Sequence, residues 1–412
     1  MSDGSANDKG IIRDLGRRLA EIPAQPREQE KADLWRRLND LDPVRPMVLI
    51  FPEGSWREVP LELRATDERL RRIEWGLRAQ LYSHEVLRDD NVCEGVFYSP
   101  IVVRDTGFGI EARQTRPDEP TGAGHFEPVI VTEQDFFDKV RRPQIAVDGD
   151  ATERAYRQNC ELFDGTLRVE KCLSGANSYA MIDRFAQWRG LDRLFLDMID
   201  RPDWVHRCLR FLTDCRIEMV EKLQREGALT LNNRGHYTGS GGVGFTAELP
   251  QADFDGKNVR AMDLWGFATT QIFSEVSPAM HAEFALRYEI EFLSRFGLNA
   301  YGCCEPLQLK MDQVRKIPRL RRVSMSPWVD MDRAARELGG DYVFSRKPNP
   351  AVMASITWDA GAVRRSIRDD LERTRGCVVE LVMKDTHTCN HDPRRLADWV
   401  RIARQEAEAF AS

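Results

Sequence analysis

Residues 277–306 read SPAMHAEFALRYEIEFLSRFGLNAYGCCEP, and they hold one complete helix-to-strand unit. Ser277 is a good helix N-cap, and Pro278 suits the first helical position, where no backbone N–H is needed. Phe284, Tyr288, Phe292 and Phe296 then recur every four residues. That spacing lines one face of a helix, so the stripe is predicted to be buried. Gly297 closes the helix, and Leu298–Tyr301 begins a strand. Gly302-Cys303-Cys304-Glu305-Pro306 therefore stands at a strand's C-terminal end.

The same alternation runs through most of the chain. Short apolar runs at 47–51, 96–103, 167–171, 228–232, 298–301, 322–325, 341–344 and 377–383 read as strands. Helical patterns lie between most of them, at 61–87, 134–139, 204–226, 278–296, 331–338, 359–373 and 394–410. Strands alternating with helices imply a parallel sheet. About eight such units predict an α/β fold, a (β/α)8 TIM barrel with insertions. A doubly wound open sheet is the alternative. Residues 1–45 read as an N-terminal helical extension ahead of a barrel over 46–412: Ile11, Leu15 and Leu19 recur at spacing four, and a second helix is expected over 28–38.

The composition narrows the class. Apolar residues make up 42% of the 412, enough for a sizeable core. The net charge of −6 lacks the basic excess of a nucleic-acid binder. No run reaches the roughly 18 apolar residues of a membrane span. The opening MSDGSANDKG has no apolar signal core, so a cytoplasmic enzyme is expected, with no membrane or nucleic-acid partner. Nine cysteines in such a chain read as thiols or ligands and not as a disulfide framework.

Two segments carry the chemistry. Cys303-Cys304-Glu305 follows one strand, and His387-Thr388-Cys389 follows the last. Catalytic zinc commonly takes three thiolate or imidazole ligands and keeps a fourth position open. In extended chain His387 and Cys389 face one side and suit a shared ion. Cys303 or Cys304 supplies the third ligand, with Glu305 as a further ligand or an outer acceptor. Tyr301 and Glu305 are the candidate catalytic residues on this strand end. Asn232, His236 and Trp265, near or within loops, are the candidate substrate contacts.

Two look-alikes are set aside. His206 and Cys208 fall in a helical pattern, where residues two apart diverge. Gly239-Ser240-Gly241-Gly242-Val243-Gly244 matches a dinucleotide formula, but no helix follows it. It is expected to form a mobile lid or a loop that lets a ligand approach backbone.

The stretch Leu298-Asn299-Ala300-Tyr301-Gly302-Cys303-Cys304-Glu305-Pro306-Leu307, the helix before it and the ending Asp385-Thr386-His387-Thr388-Cys389 resemble the uroporphyrinogen decarboxylase superfamily, in particular its corrinoid-linked methyltransferase branch. The resemblance spans roughly Pro46 to the end. It implies a barrel with the site at its C-terminal mouth and a zinc held by one histidine and two cysteines. Cys303 and Cys389 match the family's cysteines. Tyr301 stands where the family has its histidine, which His387 then supplies. The arginine-rich segment of true decarboxylases has no counterpart at Arg45–Gly54. The expected function is a zinc-dependent methyltransferase moving a methyl group between a corrinoid carried by a separate protein and a small methylated substrate or thiol acceptor. A homodimer is compatible with this. The alternatives are a metal-free lyase or decarboxylase on the same barrel and a non-catalytic binding subunit.

Overall fold

The computed structural model describes residues 3–115 and 124–411. Its frame is made of parallel strands: β1 (Met47–Ile50), β2 (Val96–Pro100), β3 (Arg168–Cys172), β4 (Ser178–Tyr179), β5 (Trp265–Ala268), β6 (Leu298–Tyr301), β7 (Leu320–Met325), β8 (Val343–Arg346) and β9 (Val378–Met383). Seven pair in the order β1-β9-β8-β7-β6-β5-β4. β2 and β3 form a separate parallel pair. The result is a mixed α/β fold around a parallel sheet, barrel-like, whose described strands do not close one continuous ladder.

Two seams take the place of the missing pairing. Beside β1, the Val48 amide donates to Asp90 Oδ2 at 2.8 Å, and the Asp90 amide donates to the Val48 carbonyl at 2.9 Å. Beside β5, the Asn232 side chain does the work of a neighbouring strand. It accepts from the Trp265 amide at 2.9 Å and donates to the Trp265 carbonyl at 3.0 Å. The strand expected over 228–232 is thus absent, and the strands missing from the sequence reading are β4 and β5.

Alternation along the strands sorts the residues onto two faces. Val48, Ile50, Val323, Phe344, Val379, Leu381 and Met383 face the helices and join the main core. Met47, Leu49, Val343, Val378 and Val382 face inward. There they meet Trp35 and Leu38 from the helix Pro26–Asn39, so this part of the N-terminal arm closes the inner core. The first helix, Asp3–Glu21, buries Ile12, Leu15 and Leu19 against Leu77, Leu81 and Phe163.

The glycine-rich segment is not a lid. Thr238, Ser240, Gly241, Gly242, Val243 and Gly244 are buried, and the segment fills the inner space of the sheet. Asn39 anchors it, donating to the Val243 carbonyl at 2.8 Å and the Phe245 carbonyl at 2.7 Å. Gly242 has φ +74, and a Cβ there would stand 2.5 Å from Glu380 Oε2. Gly242→Ala is therefore expected to cost about 2–4 kcal/mol, from left-handed strain and overpacking together. Urea unfolding monitored by circular dichroism checks this.

Candidate functional site

At the end of β6 the chain turns at Gly302, with φ +86. That turn reverses the faces expected from strand alternation. Tyr301 points into the helical layer and is fully buried. Its hydroxyl donates to Glu289 Oε2 at 2.7 Å and lies 2.7 Å from His281 Nε2. Burial pushes Glu289 up to about 8 and pulls His281 down to about 3. Tyr301, expected as a catalytic residue, thus belongs to a buried polar network in the helical layer.

Cys303, one residue past the turn, is aimed the other way. Its amide donates to Glu305 Oε2 at 2.8 Å, and its carbonyl accepts from Ser324 Oγ at 2.7 Å. Glu305 is itself fully buried and also accepts from Thr269 Oγ1 at 3.0 Å. Expected as a catalytic residue or a metal ligand, it is placed here to fix the backbone of Cys303.

The Cys303 sulfur accepts a hydrogen bond from Ser240 Oγ at 3.0 Å and lies 3.6 Å from the Cys304 sulfur. The Cys304 sulfur also lies 3.3 Å from Asp385 Oδ2, a second acceptor that competes with the Cys303 sulfur for its one proton. The two thiols are driven apart in acidity. Donation from Cys304, with help from Lys384 and Ser240, brings Cys303 down to about 7 against the opposing effect of burial. Cys304 is pushed well up, because it donates to Cys303, is buried and faces Asp385. Two thiolates this close repel, so one sulfur ionises and the other keeps its proton.

Cys304 and Asp385 open onto a cavity of about 360 Å³ at the C-terminal ends of β6, β7, β8 and β9. Trp328, Pro327 and Pro350 supply much of its wall, and His387 lies on its rim. Asp385 holds a left-handed backbone at φ +58, an uncommon state for a residue with a side chain. The loop after β9 is pinned from below: the Ser55 amide and hydroxyl both donate to the Thr386 carbonyl at 2.9 Å.

That loop is not one extended run: the His387 amide turns back to the Asp385 carbonyl at 3.0 Å, and Cys389 is drawn to Glu58. Asn390 and His391 also have positive φ. The amides of Cys389 and His391 both turn to Glu58 Oε2, at 3.0 and 2.9 Å. The fully buried Cys389 thiol donates to the same oxygen at 2.9 Å. Burial and this donation push the thiol up to about 12. The donors that gather on Glu58, that thiol first, outweigh burial and hold its carboxyl down at about 2.

A zinc site drawing on Cys303, Cys304, His387 and Cys389 needs at least three of them around one point. The sulfur separation of Cys303 and Cys304 suits a shared tetrahedral ion, for which about 3.7 Å follows from zinc–sulfur bonds of about 2.3 Å. Cys389, however, is committed to Glu58. Among the described residues no group of three or more His, Cys, Asp and Glu side chains is placed to hold a metal ion. The residues as arranged do not fit a three-ligand zinc.

The expected substrate contacts also separate. Asn232 spends its amide on Trp265, and Trp265 is fully buried, with its Nε1 donating to the Gly244 carbonyl at 2.9 Å. Trp265 is thus closed to a substrate, whereas Asn232 is half-buried and lines a separate cavity of about 230 Å³. His236 lines that same cavity, with Nε2 at 3.6 Å from the Cys172 sulfur. His206, set aside from the sequence, stacks on Phe284 and bonds Tyr288 at 2.7 Å. The residues that sequence reasoning missed are Ser240, Trp328, Lys384 and Asp385. Trp328 and Asp385 follow strands, a position that marks them as mouth residues once the strands are known.

No protein-family model matches the sequence, and no curated protein does. Among solved structures, a methyltransferase from Methanosarcina mazei is similar at 10% identity and a TM-score of 0.42, over 82% of this chain and 86% of that one. At that likeness nothing about its activity transfers to this chain. No helix among the described residues is long and apolar enough to cross a membrane.

Proposed function

We propose that the chain is a transferase acting at the C-terminal end of the sheet, with the Cys303 thiolate as the nucleophile that takes a methyl group. The observation that carries this is the thiol pair beside the cavity: one sulfur receives hydrogen bonds and favourable charge, while its neighbour 3.6 Å away keeps its proton. A thiolate is the reactive form of cysteine, and a saturated methyl carbon is a soft electrophile that suits it. Glu305 and Ser324 hold the Cys303 backbone, and Ser240 holds its sulfur. The methyl donor in this proposal is a methylated corrinoid carried by a separate protein, as the family resemblance implies: the sulfur–carbon bond forms as the cobalt–carbon bond breaks, and the bonding pair leaves with cobalt as Co(I). No step is assigned to zinc.

Single-turnover incubation with methylcobalamin, followed by peptide mass spectrometry, tests this. Methylation is expected on Cys303 in the natural chain and in Cys304→Ser, with at least a hundredfold less in Cys303→Ser. Undiminished methyl transfer by Cys303→Ser would overturn the reading. Metal analysis tests zinc separately. One equivalent of zinc, lost in both Cys303→Ser and Cys389→Ala, would show that these two residues share an ion in solution.

A further inference from the structure

We infer that the cavity beside Cys304 binds a small organic cation of the quaternary ammonium or sulfonium type. This rests on the reading of the barrel mouth as the active site and names the class of molecule it takes. The cavity, about 360 Å³, is within the range of small-molecule sites. Its walls are largely apolar, from Pro327, Trp328, Pro350 and Ala351. Trp328, on this wall, is 74% exposed, so most of its large ring is left unpacked. Facing the same space is the Asp385 carboxylate, with Oδ2 at 3.3 Å from the Cys304 sulfur. Among the described residues no lysine or arginine forms an ion pair with Asp385.

These features select against other ligands. A neutral apolar molecule would desolvate Asp385 and offer it no charge in return. A primary ammonium is a strongly hydrated point charge with three N–H donors, so entering a largely apolar cavity costs it more than a cation that carries no donor, even with Asn349, His387 and Thr388 also on the wall. A quaternary ammonium or sulfonium has no donor to satisfy. Its methyl groups suit apolar walls, and its charge is attracted both by the indole face and by the carboxylate.

The test is calorimetric titration of the intact chain with choline and with 3,3-dimethyl-1-butanol, in which carbon replaces the charged nitrogen. Choline is expected to bind at least tenfold more tightly than the neutral isostere. Trp328→Ala and Asp385→Asn are each expected to weaken choline about tenfold while leaving the thermal melting of the protein unchanged. Equal binding of the two compounds, no binding of choline, or unaltered binding in both variants would overturn the inference. Methylation of Cys303 by methylcobalamin is read independently. If it persists while choline fails to bind, the ligand class is wrong and the transferase reading stands. If choline binds but Cys303 is not methylated, the reverse holds.

Discussion

Arg322→Leu is expected to destabilise the protein by about 3–5 kcal/mol, the cost of leaving one member of a buried ion pair alone. Arg322 sits on the inner face of β7 and is 1% exposed. Its Nε lies 3.1 Å from Glu380 Oε1 on β9. Its two terminal nitrogens donate to Asn39 Oδ1, at 2.5 Å, and to Thr238 Oγ1. Its guanidinium also stands 5.3 Å over the Trp265 ring. One side chain therefore ties together the sheet, the N-terminal arm and the glycine-rich segment. Neither Glu380 oxygen has a hydrogen-bond partner, so its charge depends on Arg322 and on nearby Lys347, which burial pulls down to about 8. Urea unfolding measures the loss, and Arg322→Leu with Glu380→Leu is expected to recover only part of it, because the stranded carboxylate is then gone while buried Lys347 loses its counter-charge. A cost below about 1 kcal/mol for the single change would show that water reaches Glu380 and screens it.

The inner polar layer around Arg322 also marks where sequence reasoning stops. Periodicity placed β6 at 298–301 and the helix Met331–Leu338 at their observed bounds, because both depend on local spacing and capping. It missed β5, which carries Gly266 in its middle. That glycine leaves room for Asn299 Oδ1 and Phe296, each within 2.7 Å of where a Cβ would stand, and a glycine dilutes the strand signal. It put a strand at 228–232, where an asparagine side chain replaces the ladder. The mouth was legible as a place, since Cys303, Cys304 and His387 all follow strands. Which residues meet there was not. Cys389 finds Glu58 across 331 residues of sequence, and Cys303 finds Ser240 from a segment that local pattern marked as a lid. Spacing two apart was read as a shared face, but the chain is not an extended strand at either place: Gly302 has positive φ after β6, and after β9 Asp385 has positive φ and its carbonyl takes the His387 amide in a tight turn.

The thiol pair gives the second large effect. Alkylation of Cys303 by iodoacetamide is expected to rise with pH through a midpoint near 7, well below the 9.0 of an unperturbed thiol. The sign follows from the hydrogen bonds: Cys304 and Ser240 both donate to the Cys303 sulfur, which favours its charged form. The thiolate is thus present above the midpoint and is lost as pH falls through it. At pH 7 about half of Cys303 is ionised, against about one in a hundred for an unperturbed thiol. A less basic thiolate is also a weaker nucleophile, so the net advantage at pH 7 is about fivefold to tenfold. Cys304→Ala removes the largest favourable influence and is expected to move the midpoint upward most, with Ser240→Ala next. Asp385→Asn removes a carboxylate that competes for the Cys304 proton, so it is expected to leave the midpoint unchanged or lower it. Peptide-resolved mass spectrometry of quenched samples follows Cys303 apart from the other eight cysteines. A midpoint near 9 that none of the three changes moves would show that Ser240 and Cys304 do not act on the sulfur, and Cys303 would then be an ordinary buried thiol.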